Sequence, residues 1–144
     1  MIVPDVNVLV AAGHRDADGH QATAAWLARA LAGPEPLGLA DLAVTGAVRV
    51  LTSRRIFSDP VPVVAAAAFV EALRAAPAAR PLAATAATWQ RFGTLLRDDP
   101  GLHGNLVPDT WLAALALSHG ARLASYDRGF ARFSQLVVNV PSSG

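Results

Sequence analysis

Short apolar segments alternate with longer amphipathic segments along the whole chain. Residues 1–3, 37–40, 121–125 and 136–140 are short runs typical of strands, and a weaker strand pattern occurs at residues 80–84. The longer segments between them repeat apolar residues every three or four positions, as helices do. This alternation predicts an α/β fold in which helices cover both faces of a mostly parallel sheet.

Amphipathic helices are predicted over residues 22–32, 41–53, 63–76, 85–97 and 110–119, with a short helical turn at 128–133. Asp16 or Asp18 is expected to cap the first of these helices. Trp89 lies on the apolar stripe of the fourth helix and is expected to face inward. The chain has no internal repeat or linker, so residues 1–144 are predicted to form one domain.

Composition excludes several kinds of chemistry. All 12 basic residues are Arg, so no catalytic lysine is available. The chain has no Cys, which excludes disulfides and thiolate metal sites. His14, His20, His103 and His119 share no metal-ligand spacing and are expected at the surface or in loops.

Charge and hydropathy bear on partners and location. The net charge of +1 does not by itself indicate a nucleic-acid partner. The apolar fraction of 53% is high for this length, so a partner or a second copy is expected to cover part of the surface. No apolar segment is long enough to span a bilayer and no secretory signal is visible, so a cytoplasmic location is expected.

Acidic residues recur where an apolar segment gives way to a predicted helix. Four of the 11 acidic residues occupy such junctions: Asp5, Asp41, Asp109 and Asp127. In a parallel sheet with right-handed crossovers these junctions collect at one edge, where α/β proteins bind their ligands. Helix capping explains each Asp taken singly, but Ser, Thr or Asn would cap equally well. Their joint occurrence therefore favours a shared site.

Convergence of these carboxylates would require a cation. Two carboxylates about 5 Å apart repel each other by about 3 kcal/mol at an effective dielectric constant of about 20. A hard divalent ion with oxygen ligands, Mg²⁺ or Mn²⁺, is the natural partner for such a cluster. An ion held by carboxylates and water accepts a phosphate oxygen, and this suits phosphodiester hydrolysis.

Three segments then resemble the conserved blocks of PIN-domain nucleases: residues 5–7, 105–114 and 125–130. Residues 40–49 and 52–57 are similar to the second acidic block of VapC-type toxins. The resemblance covers essentially the whole chain in order and spacing. It implies a three-layer α/β/α fold with a central five-stranded parallel sheet. It also implies a Mg²⁺- or Mn²⁺-dependent endoribonuclease that forms a homodimer and is neutralised by a cognate VapB-type antitoxin.

The resemblance assigns roles to individual positions. It matches Asp5, Asp41, Asp109 and Asp127 to the family's catalytic, metal-binding carboxylates. The second of these positions is usually Glu, so the shorter Asp41 contacts metal directly only if its helix sits closer, and otherwise acts through water. Asn7 and Ser125 match polar residues that support the first carboxylate.

Other residues near the predicted site have two explanations each. Asn105 precedes the third carboxylate and reaches either the site or only the backbone. Arg128 contacts an RNA phosphate or is simply exposed to solvent. Arg49, on the second predicted helix, recurs at this place in the resembling toxins, and an ion pair with a neighbour explains it as well. Structured RNA, such as tRNA or rRNA, is a plausible substrate, but the sequence does not identify the target.

Two other functions are compatible with parts of the pattern. A phosphotransfer enzyme or receiver domain also places an Asp after the first strand. Phosphatases of the haloacid dehalogenase type, however, require a second Asp at the position of Asn7. Those proteins usually also hold the phosphoryl group with a Lys, which this chain does not have. The second alternative is a catalytically weak PIN-fold module that binds RNA or protein, and Asp41 in place of Glu keeps it open.

Overall fold

Five parallel strands form the centre of the computed structural model, which describes residues 1–142. The strands are β1 (Ile2–Pro4), β2 (Leu37–Ala40), β3 (Ala79–Leu82), β4 (Arg122–Ala124) and β5 (Val138–Asn139), and their order in the sheet is β3-β2-β1-β4-β5. The predicted strands are all present, although β4 and β5 are shorter than expected. The α/β class with a five-stranded parallel sheet is confirmed.

Helices connect the strands. They are α1 (Val6–Gly13), α2 (His20–Ala32), α3 (Asp41–Leu51), α4 (Val63–Ala75), α5 (Ala86–Asp98) and α6 (Val107–Ser118), with 3₁₀ turns at Gly104–Leu106 and Arg128–Arg132. In the part of the chain that the structure describes, no helix is both long and apolar enough to cross a membrane.

The strand order creates a switch point beside β1. The chain moves from β1 outward to β2 and β3, and then crosses back so that β4 pairs with the other side of β1. Ile2 therefore lies beside Leu37 on one side and Arg122 on the other. The carboxyl ends of β1 and β4 flank the crevice where open α/β sheets bind ligands.

Asp5 divides the apolar N-terminal segment into a strand and a helix. It is the N-cap of α1, and its side chain accepts a hydrogen bond from the Val6 N–H. α3 packs closely against this helix because Gly46 has no side chain: a Cβ at Gly46 would lie 2.8 Å from Val6 Cγ2. The start of α1 is thus fixed both by its cap and by close helix packing.

Two local predictions were wrong. α2 is capped by Gly19 in the left-handed conformation (φ 72°), so neither Asp16 nor Asp18 is its cap. Trp89 is 61% exposed, because its ring packs sideways on Trp111 of α6, 4.5 Å between ring centroids, instead of entering the core. His14, expected at the surface or in a loop, lies in the loop that follows α1 and is 3% exposed.

Hydrogen bonds explain the burial of His14. Its Nδ1 accepts from the Asp16 N–H at 3.0 Å, so Nε2 carries the proton and donates to the Asp59 carbonyl oxygen at 2.8 Å. The ring also stacks on Phe57, with centroids 3.8 Å apart. The end of α1 is therefore joined to the loop that precedes α4.

Candidate metal-dependent active site

A cleft of about 930 Å³ opens at the carboxyl ends of β1 and β4. Asp5 reaches it from the end of β1, Asp127 from the segment after β4, and Asp109 from the first turn of α6. Asp5 and Asp127 are 122 positions apart in the sequence, and the pairing of β1 with β4 brings them together. Five more residues with polar side chains line the same cleft: Asn7, Asp18, Arg49, Asn105 and Tyr126.

The Asp5 carboxylate is buried and held on three sides. Its Oδ1 accepts from the Val6 N–H at 2.7 Å, and its Oδ2 accepts from Asn7 Nδ2 at 2.8 Å and from the Ser125 hydroxyl at 2.7 Å. Only 7% of the residue is exposed. Since each carboxylate oxygen has two lone pairs, Oδ1 keeps one acceptor position for a further ligand.

Ser125 links the two strand ends. Its hydroxyl donates to Asp5 and accepts from Asn7 Nδ2 at 3.1 Å and from the Asp127 N–H at 3.0 Å, so both its donor and its acceptors are used. The Asn7 Oδ1 accepts from the Tyr126 N–H at 3.2 Å. These partners determine the orientation of the Asn7 amide, because a flipped amide would lose all three of its bonds.

Burial makes ionisation of Asp5 harder. It is the main cause that raises the pKa of Asp5 above its usual value, and the negative charge of Asp127 raises it further. The hydrogen bonds from Ser125, Val6 and Asn7 act in the opposite direction because they favour the carboxylate form. The network therefore partly offsets the cost of placing a charge at the base of the cleft.

The Asp109 carboxylate is repelled by the negative charges of Asp5 and Asp127. Burial, then the charges of Asp5 and Asp127, raise the pKa of Asp109 to about 6, while Arg132 acts in the opposite direction. The helix was predicted to start at residue 110, but it begins at Val107 and places Asp109 in its first turn. The helix dipole is favourable for a carboxylate at that position.

Asp127 is both a cap and a member of the cleft. Its Oδ1 accepts from the Gly129 N–H at 2.7 Å and so starts the 3₁₀ turn that follows β4. Its backbone N–H donates a hydrogen bond to the Ser125 hydroxyl oxygen. The carboxylate is thus positioned from both sides by its own segment of the chain.

Asp41 lies apart from these three carboxylates. It is the exposed first residue of α3, and it lines a different recess of about 670 Å³ with Glu71 and Arg74. That recess shares Thr45 with a third one, of about 430 Å³, which Asp5 and Asp109 also line. The structure therefore does not place Asp41 beside the other carboxylates, and its role as a metal ligand stays a prediction.

The donor set suits a hard divalent cation. The cleft offers carboxylate oxygens whose mutual repulsion a cation would relieve. Within residues 1–142, no three His, Cys, Asp or Glu side chains form a group that could hold an ion as they stand. Mg²⁺ does not require such a group, because it typically binds through one or two carboxylates, water and substrate phosphate. The residues present therefore fit Mg²⁺ better than a metal that needs a complete protein cage.

Two residues with alternative explanations are now placed. Asn105 is exposed and lines the cleft, so it can reach a ligand there. Arg128 is exposed next to Asp127. Sequence reasoning assigned no site role to Tyr126, although its position between Ser125 and Asp127 was a usable signal. Of the two explanations for Arg49, the ion pair does not form among the described residues.

Comparison with known proteins agrees with this architecture. The family model for the PIN domain matches residues 2–136. The chain belongs to the PIN-domain family. Ribonuclease VapC43 of Mycobacterium tuberculosis is 42% identical over 144 residues, which cover 100% of this chain and 97% of that protein. Ribonuclease VapC25 of the same organism is 38% identical over 139 residues, covering 94% and 95% of the two chains. The predicted family is confirmed.

Solved structures share the PIN fold. The M. tuberculosis toxin VapC20, which cleaves the sarcin–ricin loop, superposes with a TM-score of 0.66 at 18% identity, covering 92% of this chain and 95% of that one. The VapBC2 complex of Rickettsia felis, bound to a DNA fragment from its promoter, gives 0.65 at 16% identity, covering 97% and 98%. At these identities the likeness supports the fold, and the predicted three-layer α/β/α arrangement is confirmed.

Proposed function

We propose that this PIN-domain protein is a metal-dependent endoribonuclease that cleaves RNA phosphodiester bonds and acts as the toxin of a VapBC-type pair. The observation that carries the proposal is the meeting of Asp5, Asp109 and Asp127 in one cleft, with the pKa of Asp109 raised to about 6. The full-length similarity to proteins named VapC ribonucleases supports the same activity.

The roles of the chain's own residues follow from their contacts. Asp5, Asp109 and Asp127 would hold Mg²⁺ or Mn²⁺, which when bound activates water and stabilises negative charge on the scissile phosphate. Asn7 and Ser125 keep Asp5 in place by donating to its Oδ2. Asp41, from the neighbouring recess, would complete the site through a water molecule. Asn105 would contact the substrate at the edge of the cleft.

Arginine side chains would bind the RNA backbone. Arg49 lines the cleft of about 930 Å³ and also the recess of about 430 Å³, both of which contain Asp5 and Asp109. It is exposed, and no carboxylate among the described residues forms an ion pair with it. A guanidinium that stays unpaired beside carboxylates is available to bind a phosphate in a bidentate manner. Arg128, exposed beside Asp127, would contact a second phosphate.

The proposed partners are an RNA substrate, for which tRNA or rRNA is plausible, and a VapB-type antitoxin. We also propose a homodimer and a cytoplasmic location, where both partners would be met. The R. felis structure is a VapBC complex, which supports the antitoxin proposal by analogy. Co-purification with the product of an adjacent small reading frame, and light scattering of the purified protein, would test the antitoxin and the dimer.

Cleavage of RNA by partner-free protein tests the central proposal. The unaltered chain should cut single-stranded RNA with Mg²⁺ or Mn²⁺ and stop when EDTA is added. Asp109→Asn should remove the activity, while Asp98→Asn, a matched change on an exposed residue of α5, should keep it. RNA binding without cleavage by the unaltered chain would instead favour a catalytically weak binding module.

A further inference from the structure

Tyr126 lies between the two groups that organise the end of β4. It follows Ser125, precedes Asp127 and forms part of the cleft wall. Its backbone N–H donates to Asn7 Oδ1 at 3.2 Å, so the residue is tied to the polar network around Asp5. Its side chain is therefore placed next to the carboxylates by bonds that do not involve the ring.

The phenol hydroxyl is directed away from solvent. It lies 2.6 Å from Thr23 Oγ1 on α2, and Thr23 is completely buried. Because the Thr23 hydroxyl donates to the Gly19 carbonyl oxygen at 2.8 Å, the Tyr126 hydroxyl is the donor in the bond between them. The polar tip of the side chain is thus already satisfied by the protein.

Tyr126 is also an exposed aromatic residue. It is 38% exposed, while its hydroxyl bonds to a buried partner. The same cleft is lined by the apolar residues Val10, Ala11 and Ala17, with Asp18 beside Ala17. An aromatic ring held at both ends beside an apolar recess provides a rigid flat surface.

We propose that Tyr126 forms a nucleobase subsite, on which an unpaired base of the substrate stacks beside the scissile phosphate. The inference rests on the proposed function, since it takes RNA as the ligand. Asp127 is the next residue, so the stacked base belongs to a nucleotide that adjoins the reacting phosphate. The cleft volume of about 930 Å³ accommodates a nucleotide. Bases in a duplex are already stacked, so the subsite selects single-stranded RNA or a loop.

Binding measurements test this subsite separately from cleavage. A fluorescent single-stranded RNA is titrated by anisotropy into the Asp109→Asn chain, so that the RNA stays intact. Adding Tyr126→Leu should weaken binding by about tenfold, the usual contribution of one aromatic stack. Tyr126→Phe, which keeps the ring but not the Thr23 bond, should recover most of that loss. Trp89→Leu removes an exposed aromatic ring outside the cleft and should leave the affinity unchanged.

A second measurement removes the base from the RNA instead of the ring from the protein. Abasic nucleotides are placed at successive positions of the same RNA. One position should cost about tenfold in affinity, and that cost should disappear in Tyr126→Leu. Equal losses in Tyr126→Leu and Tyr126→Phe, no position-specific abasic effect, or no RNA binding by the parent chain would each overturn the subsite. Absence of cleavage by the unaltered chain, with these binding results intact, would overturn only the proposed catalysis.

Discussion

Asp5 and Asp41 have the same position in the sequence pattern and different environments in the structure. Each follows a buried apolar strand and stands at the start of a helix. Asp5 is the N-cap of its helix, is buried and accepts three hydrogen bonds. Asp41 is the first residue within its helix, makes no capping bond and is exposed. A recurring junction residue is therefore not sufficient evidence of a shared site.

Strand order accounts for the separation of Asp41 from Asp127 but not from Asp5, because β2 and β4 both pair with β1. β1 and β4 are neighbours, so their carboxyl ends lie one strand spacing apart, about 5 Å. β2 lies on the far side of β1, and its end is about 10 Å from that of β4. A carboxylate after β2 therefore needs a long side chain or an intervening water to reach Asp127, and the short Asp41 instead lines a recess with Glu71 and Arg74.

The sharpest test compares Asp5→Asn with Asp41→Asn in RNA cleavage. We expect Asp5→Asn to lower the rate by at least about 100-fold, because it removes a carboxylate from the group that would hold the metal. Asp41→Asn should cost less than about tenfold if the residue acts through water. Initial rates over a range of Mg²⁺ concentrations provide the measurement. Equal losses in both variants would place Asp41 in direct contact with the metal.

Removal of the Ser125 hydroxyl tests the network that distinguishes Asp5. Ser125→Ala removes one of the two hydrogen bonds at Asp5 Oδ2 and one of the two at Asn7 Nδ2, and it leaves the Asp127 N–H without its partner. We expect cleavage to fall by about 10–100-fold and the free energy of unfolding to drop by about 1–3 kcal/mol. Kinetics and urea unfolding measure the two effects, and Ser134→Ala, on an exposed residue, is the control. Unchanged kinetics would show that the hydrogen bonds matter only for folding.

Arg49 extends the comparison to substrate binding. If it holds one phosphate, Arg49→Gln should weaken RNA binding and reduce the slope of log affinity against log salt by about 0.7. Arg97→Gln is a matched control, because Arg97 is also exposed in the last turn of its helix. Unlike Arg49, it lines neither the cleft of about 930 Å³ nor the recess of about 430 Å³. Anisotropy at several salt concentrations measures both slopes. Identical slopes for the two variants would remove Arg49 from the RNA contact surface.

The smallest expected effect is on pH-dependent stability. Since the pKa of Asp109 is raised to about 6, the folded state binds the proton more tightly than the unfolded state, and stability is lost as pH rises through that value. In EDTA, Asp109→Asn should therefore raise Tm by about 2–4 °C near pH 8 and by less near pH 4. Asp41→Asn gives the baseline for an exposed carboxylate. If calorimetry shows a larger Tm increase for Asp109→Asn near pH 4 than near pH 8, burial and the charges of Asp5 and Asp127 do not raise the pKa of Asp109.

Much of the architecture could be predicted from the sequence. The short apolar runs located the strands, and helical periodicity located the helices from α2 onward to within a few residues. The boundary between β1 and α1 was harder, because residues 1–10 are apolar on both sides of Asp5 and no periodicity separates them. The buried state of His14 was missed because its partners, Asp59 and Phe57, lie more than 40 residues away.

The sequence by itself determined which acids stand at strand ends, that no lysine or thiol chemistry is available, and which family the chain belongs to. Only the tertiary structure decided that Asp5, Asp109 and Asp127 share a cleft while Asp41 lines another, and that the Tyr126 hydroxyl binds Thr23. Apolar patterning shows that a strand is buried, whereas its neighbours in the sheet depend on crossovers between distant segments. Side chains that act together at the switch point are therefore selected by strand order, which local sequence does not specify.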